Sequence, residues 1–385
     1  MSGDKKRKLP EGWRWEKLEN IFELKYGSGL PKDLRKKGLF PVFGSNGIVG
    51  YNSESITNGS TIIIGRKGSA GEVVWSDVAC WPIDTTYYIE ELKKKGNLKY
   101  IYHALRFLKL SGLDKSSAVP GLNRDDVYSI EICLPPTPSD QDIIASDLER
   151  RMAHVERMRV AALRQKDAIA AMQGAILREA FPYEAGDELP EGWKWEELGN
   201  LFTIEKQQIN PFDESFYSLR FIGMENIESN TRKFIPNGNK EESGDSTCLL
   251  FDNKHVLYGK LRPYLNKVYL PDKKGRCSTE LIPLIPKNGF SRSFIASVLQ
   301  SEIVVTYAVK HSTGGRMPRA DMEKLIKLKV PLPSNSNTSA AELDRKMAEL
   351  EKARQAAERQ LEAIKMLPGA ILREVFDFEE ENTGS

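Results

Sequence analysis

Residues Ser139–Phe181 decide the fold, and they read SDQDIIASDLERRMAHVERMRVAALRQKDAIAAMQGAILREAF. Mostly apolar residues recur in this stretch at alternating steps of four and three positions, which is the spacing of a coiled-coil seam. The seam positions are Leu148, Met152, Val155, Arg159, Ala162, Lys166, Ile169, Gln173 and Ile176. The pattern predicts one long helix that packs against a second helix along this face.

The second helix is in the same chain, because the seam recurs 195 positions later, from 148 to 343. Its positions are Leu343, Met347, Leu350, Arg354, Ala357, Leu361, Ile364, Pro368 and Ile371. The two copies end on nearly the same phrase, GAILREAF at 174–181 and GAILREVF at 369–376. An arginine on such a seam is costly unless it is paired, so Arg159 and Arg354 are predicted to pair with Glu156 and Glu351 and to set the register.

A second repeat precedes each helix. The phrase LPEGWRWEKLENIF begins at Leu9 and returns as LPEGWKWEELGNLF at Leu189, 180 positions later. Alternating tryptophans in both phrases (Trp13 and Trp15, Trp193 and Trp195) indicate strands with rings that serve as packing anchors. The predicted segments are a first module at 1–138, a first helix at 139–181, a second module at 182–335, a second helix at 336–378 with a break near Pro368, and a disordered tail at 379–385.

The first module alternates short apolar runs with glycine turns, which is typical of strands and hairpins. The predicted strands and hairpin lie at 43–51, 61–64, 72–75, 84–89 and 130–134, and residues 98–108 keep helical spacing. Ser139 and Asp142 form the pattern of a helix-capping box. The second module follows the same plan, but its offset grows from 180 to 194 between Ile204 and Gly259, so extra residues were inserted there. The insertion is consistent with two modules that recognise different targets. Simple drift after duplication would also produce it.

These patterns predict an α+β fold with two pseudo-two-fold-related, strand-rich modules of mixed α/β structure, separated by a pair of long antiparallel coiled-coil helices. The duplication also predicts where the chain ends lie. A short linker holds Phe181 near Leu189. If the two halves are equivalent, Phe376 lies equally close to Leu9, although no covalent link joins them.

The composition argues against several classes of protein. The 56 basic and 54 acidic residues give a net charge of +2, and no apolar run approaches the roughly 20 residues of a membrane span. The first residues, MSGDKKRK, lack the apolar core of a secretory signal, so a cytoplasmic location is expected. The four cysteines and four histidines are scattered and signal neither a disulfide framework nor a metal site.

Catalytic motifs do not stand out either. The chain lacks the GxxxxGK[ST] phosphate loop and the polar-Pro-Pro-aromatic run of amino-methylating enzymes. Residues 252–254 and 272–274 resemble the carboxylate-x-lysine fragment of metal nucleases, but such tripeptides arise by chance in a lysine-rich chain. The sequence therefore predicts a protein that is not an enzyme.

Candidate binding residues lie at matched places in the two modules. Arg66 and Lys67 occupy a glycine-flanked turn after a buried strand, where backbone can approach a phosphate closely. Lys260, Arg262 and Tyr264 occupy the corresponding turn 194 positions later. A solvated hairpin turn would explain either set alone, but their recurrence at matched positions favours contact with nucleic acid.

Polar loop residues extend both candidate sites. Thr85 matches Thr279, which follows Ser278, although threonine also simply favours strands. The serine pair at Ser116 and Ser117 matches Ser312 and Thr313, and these loops lie near Arg124 and Arg316 in the sequence. Hydroxyl and guanidinium groups in this combination suit phosphate contacts.

The ordered, duplicated phrases resemble the specificity (S) subunits of type I restriction–modification systems from Leu9 to Phe376. The phrases that carry the resemblance are LPEGW, GSNGIVG at 44–50, IGRKGS at 64–69, YGKLRPY at 258–264, CSTE at 277–280 and AILREAF at 175–181. They add Ser45, Asn46 and Ser69 to the predicted DNA-binding residues. The helix start departs from the family, because SDQD at 139–142 stands where a Glu-Gln pair is usual.

The resemblance implies that each module is a target recognition domain that reads one half of a bipartite, asymmetric site on double-stranded DNA. It implies that the helices are a spacer to which two methyltransferase (M) subunits dock, joined in the full complex by restriction (R) subunits. Cofactors are then expected on those partners, namely S-adenosylmethionine, ATP and Mg²⁺, and none on this chain. One alternative is a duplicated coiled-coil protein-binding adaptor without DNA specificity, and another is a self-sufficient nuclease.

Overall fold

The computed structural model of the protein describes residues 9–113, 121–184, 186–210, 219–236, 247–334 and 336–378. The chain forms two compact units. The first unit comprises Met1–Ala162 together with Gln360–Ser385, and the second comprises Leu163–Arg359. Each unit therefore contains one module and a part of each long helix.

The module of the first unit is built from small sheets covered by one helix. Its elements are β1 (Arg14–Lys17), β2 (Lys25–Tyr26), β3 (Phe40–Gly44), β4 (Gly47–Asn52), β5 (Thr61–Gly65), β6 (Val73–Ser76), β7 (Trp81–Pro82), β8 (Thr86–Ile89), α1 (Leu98–Leu108), α2 (Arg124–Tyr128) and β9 (Glu131–Leu134). The main sheet has the order β2-β8-β5-β6, and smaller sheets pair β4-β3-β7 and β1-β9. Strand β5 lies inside the sheet and is wholly buried. Its residues from Thr61 to Ile64 are all β-branched, which favours the strand conformation.

The module of the second unit repeats this plan. Its elements are β10 (Trp193–Glu197), α4 (Leu198–Leu201), β11 (Phe202–Ile204), β12 (Gln208–Ile209), β13 (Phe221–Ile222), β14 (Cys248–Phe251), β15 (Val256–Gly259), β16 (Val268–Tyr269), β17 (Gly275–Ser278), β18 (Leu281–Pro286), α5 (Arg292–Gln300), α6 (Glu302–Lys310), β19 (Ser312–Thr313), β20 (Arg319–Ala320), α7 (Met322–Leu325) and β21 (Lys329–Pro333). The sheet β11-β18-β15-β16 matches β2-β8-β5-β6, and β10-β21 matches β1-β9. The predicted duplication of the module is confirmed.

The two long helices are α3 (Pro138–Ala180) and α8 (Ser336–Phe376). In each unit their apolar seams share a buried cluster. The buried seam residues are Leu148, Val155, Ala162, Ile364 and Ile371 in the first unit, and Ile169, Leu343, Met347, Leu350 and Ala357 in the second. Arg151 pairs with Glu374 in the first unit, and Glu179 lies 2.8 Å from Lys346 in the second. Early residues of one helix thus meet late residues of the other, so the packing within each unit is antiparallel.

The predicted partners of the seam arginines are confirmed. Arg159 donates to Glu156 at 2.7 and 2.8 Å, and Arg354 donates to Glu351 at the same two distances. Arg159 is half exposed, whereas Arg354 is mostly buried. The difference arises because Arg354 also lies 3.5 Å from Glu228, which belongs to the inserted segment of the second module.

The described part of the insertion packs against α8 and α5. Lys233 lies 2.6 Å from Glu358 on α8. Arg232 donates to three side-chain oxygens on α5, those of Ser293, Ser297 and Gln300, at 2.7–3.0 Å. Burial lowers the pKa of Arg232 to about 10. At least this part of the insertion therefore attaches the second module to the helices of its own unit.

The cap of α3 differs from the expected one. Thr137, not Ser139, precedes the first turn. Its hydroxyl accepts from the amide of Asp140 at 3.2 Å, while the Asp140 carboxylate accepts from the Thr137 amide at 3.0 Å. Pro138 fits the first helical position because its missing N–H has no partner there. Asp142 instead accepts from Asn97 of the module at 2.7 Å.

The expected break near Pro368 is wrong, because α8 continues through it to Phe376. A proline inside a helix costs about 3 kcal/mol through its missing N–H and its clash with the preceding turn. Ile364 before it, and Ile371 and Leu372 after it, are all buried in the core of the first unit. This burial on both sides offsets the local cost.

The chain ends lie as the duplication predicts. Leu9 packs against the cluster that contains Phe376, and the Trp13 ring meets Phe378 edge-on at 5.4 Å. In the second unit, Tyr183 and Trp193 make the corresponding edge contact at 5.0 Å, where the linker joins them. Trp13 and Trp193 therefore pack in the same way, although a short linker joins only Trp193 to its aromatic partner.

The capping geometry yields a matched pair of variants. Thr137→Ala removes the side-chain partner of the Asp140 amide and should lower the free energy of unfolding by about 1 kcal/mol. Ser139→Ala removes a hydroxyl that caps nothing and should leave stability within about 0.5 kcal/mol of wild type. Urea unfolding followed by circular dichroism measures both, and the reverse ranking would restore Ser139 as the cap.

Candidate nucleic-acid interface

In the first module, three loops meet at one end of the main sheet. The tip of the β3–β4 hairpin carries Ser45 and Asn46, and it lies directly against the loop from Gly65 to Ser69. A Cβ added at Gly65 would lie 2.0 Å from the carbonyl oxygen of Ser69 and 2.9 Å from that of Ser45. Only glycine allows this close approach, so the residue at 65 is fixed by the packing of the two loops.

Backbone hydrogen bonds bring two further segments, at Thr85 and at Leu122, to the hairpin tip and the turn. The amides of Arg66 and Lys67 both donate to the carbonyl of Thr85, at 2.9 and 3.1 Å. The amide of Leu122 donates to the carbonyl of Arg66 at 2.9 Å, which places the start of α2 and Arg124 beside the turn. The structure thus brings together seven of the predicted DNA-binding residues, namely Ser45, Asn46, Arg66, Lys67, Ser69, Thr85 and Arg124.

An exposed tyrosine lies between the two arginines of this cluster. The guanidinium carbons of Arg66 and Arg124 lie 5.4 and 5.6 Å from the centre of the Tyr26 ring, within cation–π distance. Tyr26 is 53% exposed, and its ring also meets Tyr87 edge-on at 5.0 Å. Burial raises the pKa of Tyr87 to about 12, so its hydroxyl stays protonated and donates to Leu122. Sequence reasoning missed Tyr26 because no motif and no matched position marks it.

The second module builds its loop cluster with the same backbone hydrogen bonds. The amide of Lys260 donates to the carbonyl of Glu280 at 2.9 Å, as Arg66 donates to Thr85. The amide of Ala320 donates to the carbonyl of Lys260 at 2.8 Å, as Leu122 donates to Arg66. Leu261 also bridges Arg319, as Lys67 bridges Gly121. The predicted correspondence of Arg66 and Lys260 is therefore confirmed at the level of the backbone. The predicted match of Thr85 with Thr279 is wrong by one position, because Glu280 accepts where Thr85 does, and Gly259 pairs with Leu281 as Gly65 pairs with Thr86.

The side chains of the second cluster are organised by an acidic residue. Glu280 accepts from Arg319 at 2.8 Å and lies 3.9 Å from the ammonium group of Lys260. Sequence reasoning missed the central roles of Glu280 and Arg319, because they come together only through the pairing of separate loops. Arg262 is exposed and adopts a left-handed conformation, with φ at 51°. Tyr264 is 53% exposed beside it.

The other predicted residues of the second module lie in the same loops. Ser312 and Thr313 form β19, which pairs with β20 opposite Ala320 and Arg319, and Arg316 lies exposed in the turn between them. Thr279 is exposed, and the hydroxyl of Ser278 accepts from the amide of Glu280 at 3.0 Å. Ser116 and Ser117 lie outside the described residues.

The nuclease-like fragment at 252–254 has a structural explanation. It forms the turn between β14 and β15. The carboxylate of Asp252 accepts from the amide of Lys254 at 2.8 Å and lies 2.9 Å from the Nδ1 atom of His255. These contacts close a turn. Among the described residues, no group of three or more His, Cys, Asp or Glu side chains is arranged to hold a metal ion, and no described helix is both long and apolar enough to cross a membrane.

Matched cationic loop clusters on two repeated modules place this protein in the class of duplicated nucleic-acid-recognition proteins. A family model described as the type I restriction modification DNA specificity domain matches residues 10–159 and again residues 190–357. The chain therefore belongs to the DNA specificity subunits of type I restriction–modification systems, the non-catalytic DNA-recognition components of those systems.

Individual relatives are distant in sequence and similar along nearly the whole chain. The specificity subunit of the type I restriction enzyme EcoDI from Escherichia coli is 22% identical over 358 residues, which are 85% of this chain and 79% of that protein. A chain from a solved type I restriction–modification system superposes with a TM-score of 0.71 at 18% identity, covering 96% of this chain and 98% of that one. The HsdS subunit from Thermoanaerobacter tengcongensis gives 0.54 at 19% identity, covering 98% and 99%. These likenesses show a shared fold.

The close packing at Gly65, against Ser69 of its own turn and Ser45 of the hairpin tip, can be tested with one methyl group. Gly65→Ala should lower the free energy of unfolding by about 1–3 kcal/mol, because the added carbon overlaps two backbone carbonyls. Gly59→Ala is the control, since a Cβ there meets nothing within 4 Å, and it should remain within about 1 kcal/mol of wild type. Urea unfolding compares the stabilities of the two variants. Equal stabilities would mean that the backbone does not pack this closely around residue 65.

Proposed function

We propose that this chain is the sequence-reading subunit of a type I restriction–modification complex, with each module reading one half of a bipartite, asymmetric site on double-stranded DNA. The observation that carries the proposal is the matched pair of loop clusters, each built by the same backbone hydrogen bonds around a basic turn. Cations held at a loop surface suit the phosphate contacts that position a protein on a duplex.

The two clusters differ in side chains while they share a backbone frame. The first presents Tyr26 with two arginines, and the second presents Tyr264 with the Glu280–Arg319 pair. Bases are distinguished by the donors and acceptors that a protein presents to their edges. Two loop clusters that share a backbone arrangement but present different side chains are therefore suited to two different half-sites. This difference supports an asymmetric DNA target.

The long helices, by this proposal, set the distance between the half-sites and dock two methyltransferase subunits, to which restriction subunits are added in the full complex. Modules at 1–138 and 182–335 would be the readers, and the helices at 139–181 and 336–378 the spacer. S-adenosylmethionine, ATP and Mg²⁺ would be held by the partner subunits, in the cytoplasm. The tail predicted at 379–385 lies outside the described residues.

The main alternative is a duplicated coiled-coil adaptor that binds protein and has no DNA specificity. The two differ in their response to salt. DNA binding through phosphate contacts weakens steeply as salt rises, because each neutralised phosphate releases counterions. A protein-binding adaptor predicts no salt-dependent retention on DNA.

Charge removal tests the DNA contacts directly. Replacing Arg66, Lys67, Lys260 and Arg262 together with alanine should weaken DNA binding and flatten the plot of log affinity against log salt, by about 0.9 per lost phosphate contact. Thermal stability should fall only modestly. Lys67 and Arg262 are exposed and the backbone hydrogen bonds do not need these side chains, whereas Arg66 loses its contacts to Asp84 and Lys260 its neighbour Glu280.

The control for this variant removes four exposed cations from the long helices α3 and α8, namely Arg150, Arg157, Arg164 and Lys365. It should retain the wild-type salt slope. A loop variant that loses stability but keeps the wild-type slope would return the four loop residues to a structural role.

Helix length tests the spacer. Inserting one heptad into the Val155–Ile169 segment and a matching heptad between Leu350 and Ile364 keeps the seams in register and adds about 10 Å to each helix. The unread gap in the methylated motif should lengthen by roughly three base pairs. Mapping methylated adenines in cells that carry the variant measures the gap, and an unchanged motif would rule out the spacer role.

A further inference from the structure

We propose that Arg66 is the side chain with which the first module reads a guanine base in the major groove, and that Tyr26 is its positioning residue. The inference rests on the proposed function, because it assigns a task to one residue of a DNA-reading module. It separates Arg66 from the neighbouring cations, which would contact phosphates. The distinction follows from how firmly each side chain is held.

The guanidinium of Arg66 is fixed along one edge. Its Nε and Nη2 atoms both donate to the backbone carbonyl of Asp84, at 3.2 and 2.6 Å. The amide and carbonyl of Arg66 are themselves held by Thr85 and Leu122. Both the backbone of Arg66 and the Nε–Nη2 edge of its guanidinium are therefore held by backbone groups of other residues.

The face of the same guanidinium is held by aromatic rings. Its central carbon lies 5.4 Å from the Tyr26 ring and 5.9 Å from the Tyr87 ring. A free arginine loses up to about 2 kcal/mol of rotamer entropy when it is ordered. Much of that ordering is already present here, before any ligand binds.

The contacts made by the described residues use only one edge of the guanidinium. Arginine has five N–H donors in a planar fork, and the two contacts to Asp84 use the side edge. Among the described residues, the Nη1 atom of Arg66 has no hydrogen-bond partner, and no carboxylate pairs with this side chain. One N–H of Nη1 and one N–H of Nη2, which lie in one plane, are thus left available for a ligand by the contacts described.

Guanine is the base that matches this pair of donors. Its major-groove edge presents two acceptors, N7 and O6, whereas adenine presents one acceptor and one donor. Two parallel N–H groups therefore bind guanine well and leave the adenine amino group opposed to a donor. A lysine ammonium lacks the fork and cannot make the same bidentate contact.

Lys67 and Arg35 lack this arrangement, and Arg124 shares the Tyr26 ring but has no anchored edge among the described hydrogen bonds. Lys67 is exposed, and no hydrogen bond or ion pair holds its ammonium group within the described structure. A mobile point charge of that kind suits a phosphate. Arg35, in contrast, donates from all three guanidinium nitrogens to the backbone carbonyls of Leu30 and Val49, at 2.8–3.3 Å. These hydrogen bonds stabilise the β3–β4 hairpin.

The experiment uses the full chain assembled with its methyltransferase partner and a duplex that contains its methylated motif, mapped beforehand. Each guanine of the two half-sites is replaced in turn by 7-deazaguanine, which removes the N7 acceptor and keeps the base pair. With wild-type protein, substitution at one guanine of the first module's half-site should weaken binding about tenfold to a hundredfold. With Arg66→Lys, the same substitution should have almost no effect.

Two further variants separate reading from positioning and from charge. Tyr26→Leu removes the ring and should reduce the discrimination at that guanine, while Tyr26→Phe should restore it, because the ring face is retained. Lys67→Gln is the matched control, and it should weaken binding to cognate and unrelated duplexes alike while the 7-deazaguanine effect stays at its wild-type size. Thermal melting of each variant confirms that it is folded.

The outcomes are distinct for the inference and for the proposed function. If Arg66→Lys keeps the full 7-deazaguanine effect, or if no guanine of that half-site shows one, the assignment of Arg66 is wrong while sequence reading stands. If the wild-type complex binds all duplexes equally, the proposed function itself fails. Loss of the effect in Arg66→Lys, with the effects in the other half-site unchanged, supports the assignment.

Discussion

Each module completes its core with a phenylalanine from the end of a long helix. In the first unit, Phe376 of α8 meets the rings of Tyr100 and Phe107 on α1 at 5.4 and 5.8 Å. In the second unit, Phe181 at the end of α3 meets Phe294 on α5 at 6.3 Å. The module itself runs on into the other helix of its unit. Each module therefore packs against both helices of its unit. The contacts between those two helices fix the position of the module along them.

This construction separates the frame of the candidate site from its chemistry. The turns at Arg66 and Lys260 are held by amide and carbonyl groups, which every residue except proline supplies. Side chains at the loop surface are then free to change without loss of the frame. Tyr26 in one module and Glu280 in the other are examples, and each arranges the arginines around it.

The sequence was sufficient for the features that depend on repetition, namely the seam, the two modules and the matched basic turns. The sequence was insufficient where local structure differed from the pattern that its motifs predicted. Thr137 displaced Ser139 as the cap because Pro138 favours the first helical position, and burial on both sides of Pro368 kept α8 continuous. Tyr26, Glu280 and Arg319 were missed because strand and loop pairing between distant segments brings them to the site, and no local pattern records it.

The division of the chain has a consequence for biosynthesis. The second unit is continuous in sequence, from Leu163 to Arg359, so all of its parts have been synthesised before the last residues are added. The first unit needs residues after Gln360, including Phe376, to close a core that begins near Leu9. The module made first must therefore finish folding last, because its core lacks an aromatic side chain until Phe376 has been synthesised. A premature stop near the C-terminus would thus damage the N-terminal module.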